Sequence, residues 1–234
     1  MKRSTLFSLI SIFVLIPATL YLGTQMSGRS YYLTGGLIIV ETMIPFFLRF
    51  EARRPQVREL VTIAVLSALA AVSRAAFAFL PNFKPLVAIV MIAGIAYGGE
   101  VGFLTGAISG FASNFMFGQG PWTPWQMLAY GMGGFLAGIV FHRTYRNQTP
   151  LKNALLLPLF CFGCVLCVVG PILDLCTLFT TGSTITPAFA GAVFSLGLPF
   201  NAIHGVSCGI TILLFGKPLL AKLDRLKKKY GLLE

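Results

Sequence analysis

This sequence predicts an all-helical protein of the lipid bilayer, and three observations carry that prediction. Hydrophobic residues make up 56% of the 234 residues and charged residues only 11%, whereas a water-soluble domain carries about 25% charge. Apolar runs of roughly 20 residues, the length that crosses a hydrocarbon core, recur along the chain. The runs are apolar on every side rather than alternating, which excludes the strands of a membrane barrel and leaves helices, since in lipid the backbone must satisfy its own hydrogen bonds.

Taken in order, the runs predict about eight spans, at residues 5–23, 32–49, 60–80, 85–98, 100–117, 125–142, 153–178 and 188–216. The first follows Lys2 and Arg3 and is long for the core of a signal peptide, with no small-residue cleavage site after it, so it reads as a span. The 85–98 run is short, lies between Pro85 and the Gly98-Gly99 turn, and is expected to be tilted or sheathed by its neighbours. The basic loop at 49–58 divides the chain into an N-terminal hairpin with its loop (1–56), a six-span core (57–218) and a basic tail (219–234).

The net charge of +11 follows these boundaries. With the N-terminus in the cytoplasm, the inner segments hold Arg49, Arg53, Arg54, Arg58, Arg143, Arg146, Lys152 and the Lys/Arg of the tail. The outer ones hold only Arg29 and Lys84. That asymmetry is the mark of membrane topology, with both termini inside, and not of a nucleic-acid patch.

Small residues recur at four-residue spacing in Gly102, Gly106 and Gly110, in Ala129, Gly133 and Ala137, and in Ala64 with Ala68 and Ala71 with Ala75. Such stripes let helix backbones approach, either within this chain or against another membrane subunit.

Polar side chains inside spans are few, and each needs a partner or a use, because an Arg or Asp at mid-span costs about 2.5–3.5 kcal/mol on insertion scales. Arg74 lies about 10 Å below the outer end of its span, and Asp174 lies at similar depth on another. Asn114, Gln126, Asn201 and His204 come from three further helices. These residues predict a polar site open to the outside; the plainer reading is an Arg74–Asp174 structural pair with amides as glue. Both tryptophans of the chain fall in Gln119-Gly120-Pro121-Trp122-Thr123-Pro124-Trp125-Gln126-Met127, which is either an interfacial aromatic belt or a shaped lid over a pocket. Glu41, mid-span in the hairpin, is expected to be a neutral, hydrogen-bonded acid. Among the five cysteines, Cys161, Cys164 and Cys167 lie in an apolar helix without His or acid nearby and read as packing, not as a metal site. The chain has no G-x-x-x-x-G-K-[ST] loop for ATP and no H-E-x-x-H. Ser109 with His204 is a faint echo of an intramembrane serine protease, without a clean G-x-S-G.

From residue 57 onward the chain resembles the substrate-binding S component of energy-coupling factor (ECF) transporters. The residues that carry the likeness are Ala64 to Ala75, Lys84-Pro85 with the Ile-rich span after it, Gly102 through Gly110, and above all Gln119 to Met127. With Pro199-Phe200-Asn201-Ala202-Ile203-His204, the last run looks like the subgroup associated with cobalamin and its precursors. The resemblance implies six core helices in a bacterial cell membrane and no enzymatic activity, cofactor or metal. It implies capture of a vitamin from outside, cobalamin or a corrinoid first and dimethylbenzimidazole next. Substrate contacts are then expected from Arg74, Asn114, Gln119, Trp122, Trp125, Gln126, Asp174, Asn201 and His204. The partners it implies are a transmembrane coupling subunit, docked on Ala64, Ala68, Ala71 and Ala75, and two cytoplasmic ATPases that drive toppling of the binding unit. A solitary secondary carrier, coupled through Glu41 or Arg74–Asp174, is the competing class. The leading hairpin departs from the six-span pattern.

Overall fold

In a computed structural model, residues 14–15, 18–19, 21–22, 30–52, 55–146, 155–181 and 185–231 are described. They form a bundle of helices: α1 Ser30–Ala52, α2 Val57–Ala76, α3 Leu86–Tyr97, α4 Gly99–Phe117, α5 Thr123–Arg146, α6 Leu156–Thr180 and α7 Pro187–Tyr230. No strand occurs among the described residues. Four of these helices, in α1, α2, α6 and α7, are long and apolar enough to cross a membrane. The predicted spans at 100–117 and 125–142 are present as α4 and α5 but fall outside that set, because glycine and polar residues dilute them. The 5–23 span lies mostly outside the described residues.

The middle of the bundle is α3, whose residues from Leu86 to Tyr97 are all buried. Twelve residues rise only about 18 Å, too short to face lipid alone, and its neighbours sheathe it as its length predicts. Gly98, at φ +100°, reverses the chain between α3 and α4 without a loop, a conformation that favours glycine.

Glycine also sets the tightest crossing. A Cβ on Gly102 would lie 2.5 Å from the Gly134 carbonyl oxygen, and one on Gly94 only 2.1 Å from that same atom. On Gly138 it would meet the Gly99 nitrogen at 2.4 Å. The Gly102–Gly106 stripe is thus consumed inside the chain against α5 and is not a docking face. On α5 the matching residues are Gly131, Gly134 and Gly138. Gly133, on the other predicted stripe, faces Val87, Met91 and Val169 instead.

The two ends of the bundle differ. At the basic end, Arg49 pairs with Glu100 at 2.9 Å, and Tyr97 Oη donates to the Leu223 carbonyl at 3.4 Å. At the other end lie the loops 77–85 and 118–122. Lys84 closes the first of these, its backbone N–H donating to Ser207 Oγ at 3.0 Å. The last two helices each contain a wide turn, at Val165–Val169 in α6 and Ile212–Gly216 in α7. Such turns shift the register of the side chains that follow and recur at functional sites. Cys161 and Cys164 are buried among apolar residues of this half, as packing predicts, whereas Cys167, expected to pack with them, lies on the outward face of α6 and is exposed.

Candidate functional site

The polar residues near the loop end fall into hydrogen-bonded clusters and a set of atoms with no partner. The first cluster starts at Arg74, near the end of α2 and 9% exposed. Its Nη1 donates to Ser113 Oγ at 2.7 Å and to Asn114 Oδ1 at 2.9 Å. The Phe117 ring centre lies 4.5 Å from the guanidinium carbon. No carboxylate forms an ion pair with Arg74 among the described residues. The cation therefore meets neutral oxygens and an aromatic face, which leave a net positive field in the site.

Asn114 extends the cluster into the tryptophan loop. Its Nδ2 donates to Thr123 Oγ1 at 3.0 Å, and Thr123 Oγ1 donates to Gln119 Oε1 at 2.9 Å. Thr123 also accepts from the Gly120 N–H at 3.2 Å, so one hydroxyl at the head of α5 ties loop to helix. Trp122, 42% exposed, folds over Gly120 and donates from Nε1 to the Gly118 carbonyl at 3.3 Å. Ser113 and Thr123 were not among the predicted site residues. Thr123 carries a sequence signal all the same, a hydroxyl just before Pro124 at a helix start.

The second cluster goes against an Arg74–Asp174 pair, the plainer of the two readings of the sequence. Asp174 accepts from Asn201 Nδ2 at 2.7 Å, and glycine makes room on both sides. A Cβ on Gly170 would meet Asn201 Cγ at 2.4 Å, and one on Gly197 would meet Asp174 Oδ1 at 2.4 Å. Each partner sits four residues after the glycine on its own helix, so α6 and α7 interlock through a reciprocal Gly-x-x-x-Asp and Gly-x-x-x-Asn. Sequence distance could not reveal this, because Arg74 and Asp174 have similar depths yet hydrogen-bond to different helices.

Between the clusters are side-chain atoms buried without a hydrogen-bond partner: Gln126 Oε1, Tyr130 Oη and His204 Nε2. Tyr130 is 1% exposed and His204 2%, and their rings meet edge to face at 6.3 Å. Tyr130, absent from the predicted set, packs on Gly110 of α4. Ser109 Oγ donates to the Gly106 carbonyl at 3.0 Å while His204 Nε2 has no partner, so the Ser–His dyad of a protease is not formed.

Trp125 differs from the open lid expected of it. It is 5% exposed, stacks on Phe179 with ring centres 5.6 Å apart, and packs with Ile39 and Cys176. Gly35 of α1 lies against its ring. The N-terminal helix thus covers this tryptophan. Lower on α1, Glu41 Oε1 accepts from Thr19 Oγ1 at 2.6 Å, and Phe46 stacks on Phe103 at 3.8 Å. On α2, Ala64 and Ala68 are exposed within an outward stripe with Val61, Val65 and Val72, Ala75 is half-buried, and Ala71 is buried. Ala71 therefore faces the bundle, not a partner.

The comparisons with known proteins are unequal. No curated protein and no solved structure matches the chain. A family model described as the S component of ECF-type riboflavin transporters matches residues 54–222, more than half of the chain, from the basic loop into the last part of α7, leaving out α1. That match gives no support to the cobalamin subgroup, to a lone carrier or to a protease. Four helices fit for a membrane and a match of this extent mark a multi-pass membrane protein of a vitamin-transporter family. This chain belongs to the family of ECF-type S components, substrate-binding modules of transporters and not enzymes.

Proposed function

We propose that this chain captures a vitamin or vitamin precursor built on a flat heteroaromatic ring, as riboflavin is, and hands it to an ATP-driven partner assembly. The observation that carries the transport role is the match over residues 54–222. The ligand class is supported by the site, which sets polar groups of α2, α4 and α5 beside Phe117 and the Trp122 loop, and the unpartnered Tyr130 and His204 between α5 and α7. Aromatic faces with a few placed polar groups suit a flat ring with a polar edge. A corrinoid is far larger, and the burial of Trp125 between α1 and Phe179 leaves it less room beneath the loop. Cargo enters, on this reading, at the loop end. A transmembrane coupling subunit with two ATPases then docks on the exposed Ala64–Ala68 stripe, and toppling releases the cargo inward. The absent nucleotide loop fits that division of labour.

Equilibrium dialysis of the purified chain in nanodiscs against riboflavin, dimethylbenzimidazole and cobalamin tests the reading. Tight binding of riboflavin or dimethylbenzimidazole is expected, without cobalamin binding. Tight binding of cobalamin alone refutes the ligand class. Proteoliposomes holding only this chain should show no ATP-stimulated uptake, and robust uptake would restore the solitary carrier.

A further inference from the structure

We infer that Gln126, Tyr130 and His204 form a hydrogen-bonding edge that reads the polar rim of the ligand, with the Tyr130 hydroxyl at its centre. The inference rests on the proposed function and names the part of the site that selects the cargo. Its basis is an imbalance inside the bundle. The neighbouring polar groups near the loop end have partners: Arg74 has Ser113 and Asn114, Asn114 has Thr123, and the half-buried Asp174 has Asn201. Against that background Gln126 Oε1, Tyr130 Oη and His204 Nε2 are buried with no partner. Buried polar groups are almost always hydrogen-bonded, and exceptions call for a specific explanation. Here they are grouped. Gln126 and Tyr130 are one turn apart on the same face of α5, about 6 Å along its axis, and the His204 ring meets that of Tyr130 edge-on at 6.3 Å.

The chemistry of these atoms limits what completes them. Gln126 Oε1 only accepts. A tyrosine hydroxyl both donates and accepts, and a neutral imidazole nitrogen does one or the other. A ring edge on which an N–H stands between carbonyl or ring-nitrogen acceptors offers a partner to all three. Arg74, with no carboxylate ion-paired to it, favours an acceptor-rich edge over a basic one. A cyclic imide fused to an aromatic ring has this pattern; an ammonium or an aliphatic amine does not.

The opposing possibility is that a bound water completes the three atoms and the ligand lies elsewhere. The two cases predict opposite behaviour for the same variants, Tyr130→Phe and His204→Leu. If the ligand completes the edge, the empty protein carries an unmet hydroxyl. Tyr130→Phe then keeps or raises the melting temperature of the ligand-free chain and weakens riboflavin binding about tenfold, the loss expected for one hydrogen bond of roughly 1.4 kcal/mol. Riboflavin methylated at its imide nitrogen sharpens the test. It should bind the wild type about tenfold more weakly than riboflavin does, and that preference should vanish in Tyr130→Phe or in Gln126→Leu. A lower melting temperature with unchanged affinity and unchanged preference in these variants overturns the inference in favour of water. If the wild type ignores riboflavin altogether, the riboflavin-like reading fails separately. Mass spectrometry of the molecule that co-purifies then supplies the probe: loss of that molecule from Tyr130→Phe and His204→Leu upholds the edge, and full retention in both overturns it.

Discussion

From its middle toward the basic end, α5 is joined to α4 through Gly134 and Gly138, where an added Cβ would lie 2.4 Å from backbone atoms of Gly102 and Gly99. The half nearest the tryptophan loop carries Gln126 and Tyr130, with polar atoms that no protein group meets. One helix thus provides both a rigid joint and unused hydrogen-bonding capacity, about two turns apart. A binding residue on a helix fixed by backbone contact is held in place before any ligand arrives, and preorganisation of that kind lowers the ordering entropy lost on binding.

Breaking the rigid half should have the largest effect. In Gly134→Val the new Cβ would sit 2.4 Å from the Gly102 carbonyl oxygen and 2.7 Å from Val90 Cγ1. Backbone cannot step aside as a flexible side chain can, so destabilisation of at least about 3 kcal/mol is expected. Size-exclusion chromatography should show little monodisperse protein. A well-behaved Gly134→Val variant would mean that the joint is loose and the contrast within α5 is false.

Next in size is Trp125→Ala. Removal of a tryptophan from a packed site costs about 3–5 kcal/mol, and here α1 and Phe179 would both lose their contact. Trp122→Ala removes a half-exposed ring and should leave the melting temperature close to that of the wild type while weakening ligand binding. Equal effects of the two on thermal stability would return Trp125 to the open lid that its sequence context suggests.

Asp174→Ala comes third. It leaves Asn201 Nδ2 unmet, for a loss of about 2 kcal/mol. The partner matters more than the size: a double-mutant cycle between Asp174 and Asn201 should give clear coupling, and one between Asp174 and Arg74 close to zero. Strong Arg74–Asp174 coupling would reinstate the ion pair and remove the unpaired cation from the site.

These cases show which features were legible in the chain and which were not. Helix positions from α2 to α6 followed from apolar run length and from punctuation at Pro85, Gly98 and Pro124, because lipid imposes both; the last span was expected to end at 216, but α7 continues to Tyr230 through the amphipathic, basic stretch that apolar run length cannot register. The use of the Gly102–Gly110 stripe inside the chain was one of two open readings. Nothing in periodicity tells an internal partner from an external one, and the choice was made by the complementary Gly131, Gly134 and Gly138 on α5. Position along the apolar runs set Arg74, Asn114, Gln126, Asp174, Asn201 and His204 at comparable levels of their helices. It could not pair them, because pairing depends on azimuth around each helix, and the wide turn at Val165–Val169 shifts that azimuth just before Gly170 and Asp174. Tyr130 was missed for a related reason: in an apolar helix a tyrosine reads as another aromatic until its hydroxyl is seen to lack a partner. The burial of Trp125 depends on α1, which lies outside the matched 54–222 segment.

The smallest expected effect on the chain itself, and the one that extends the comparison to its outer surface, comes from α2. Ala68 and Ala71 are one turn apart and belong to the same small-residue pattern, yet Ala68 is exposed and Ala71 is 6% exposed. Enlarging each to leucine separates packing from docking. Ala71→Leu pushes four heavy atoms' worth of side chain where one methyl fits, and overpacking of that kind costs about 1–3 kcal/mol. Its melting temperature should fall whether or not a partner is present. Ala68→Leu meets only lipid in the isolated chain, so stability should stay within about 0.5 kcal/mol of the wild type. What it changes is the approach of another helix: small residues on an exposed membrane face matter only when a second backbone comes close to them. Co-purification of the coupling subunit with Ala68→Leu should therefore fall sharply while ligand binding by the lone chain is retained. If the coupling subunit co-purifies with Ala68→Leu as it does with the wild type, the exposed stripe faces lipid throughout the transport cycle, and docking must be sought on another surface, such as the apolar groove lined by Phe77, Phe83, Ile210, Leu214 and Phe215.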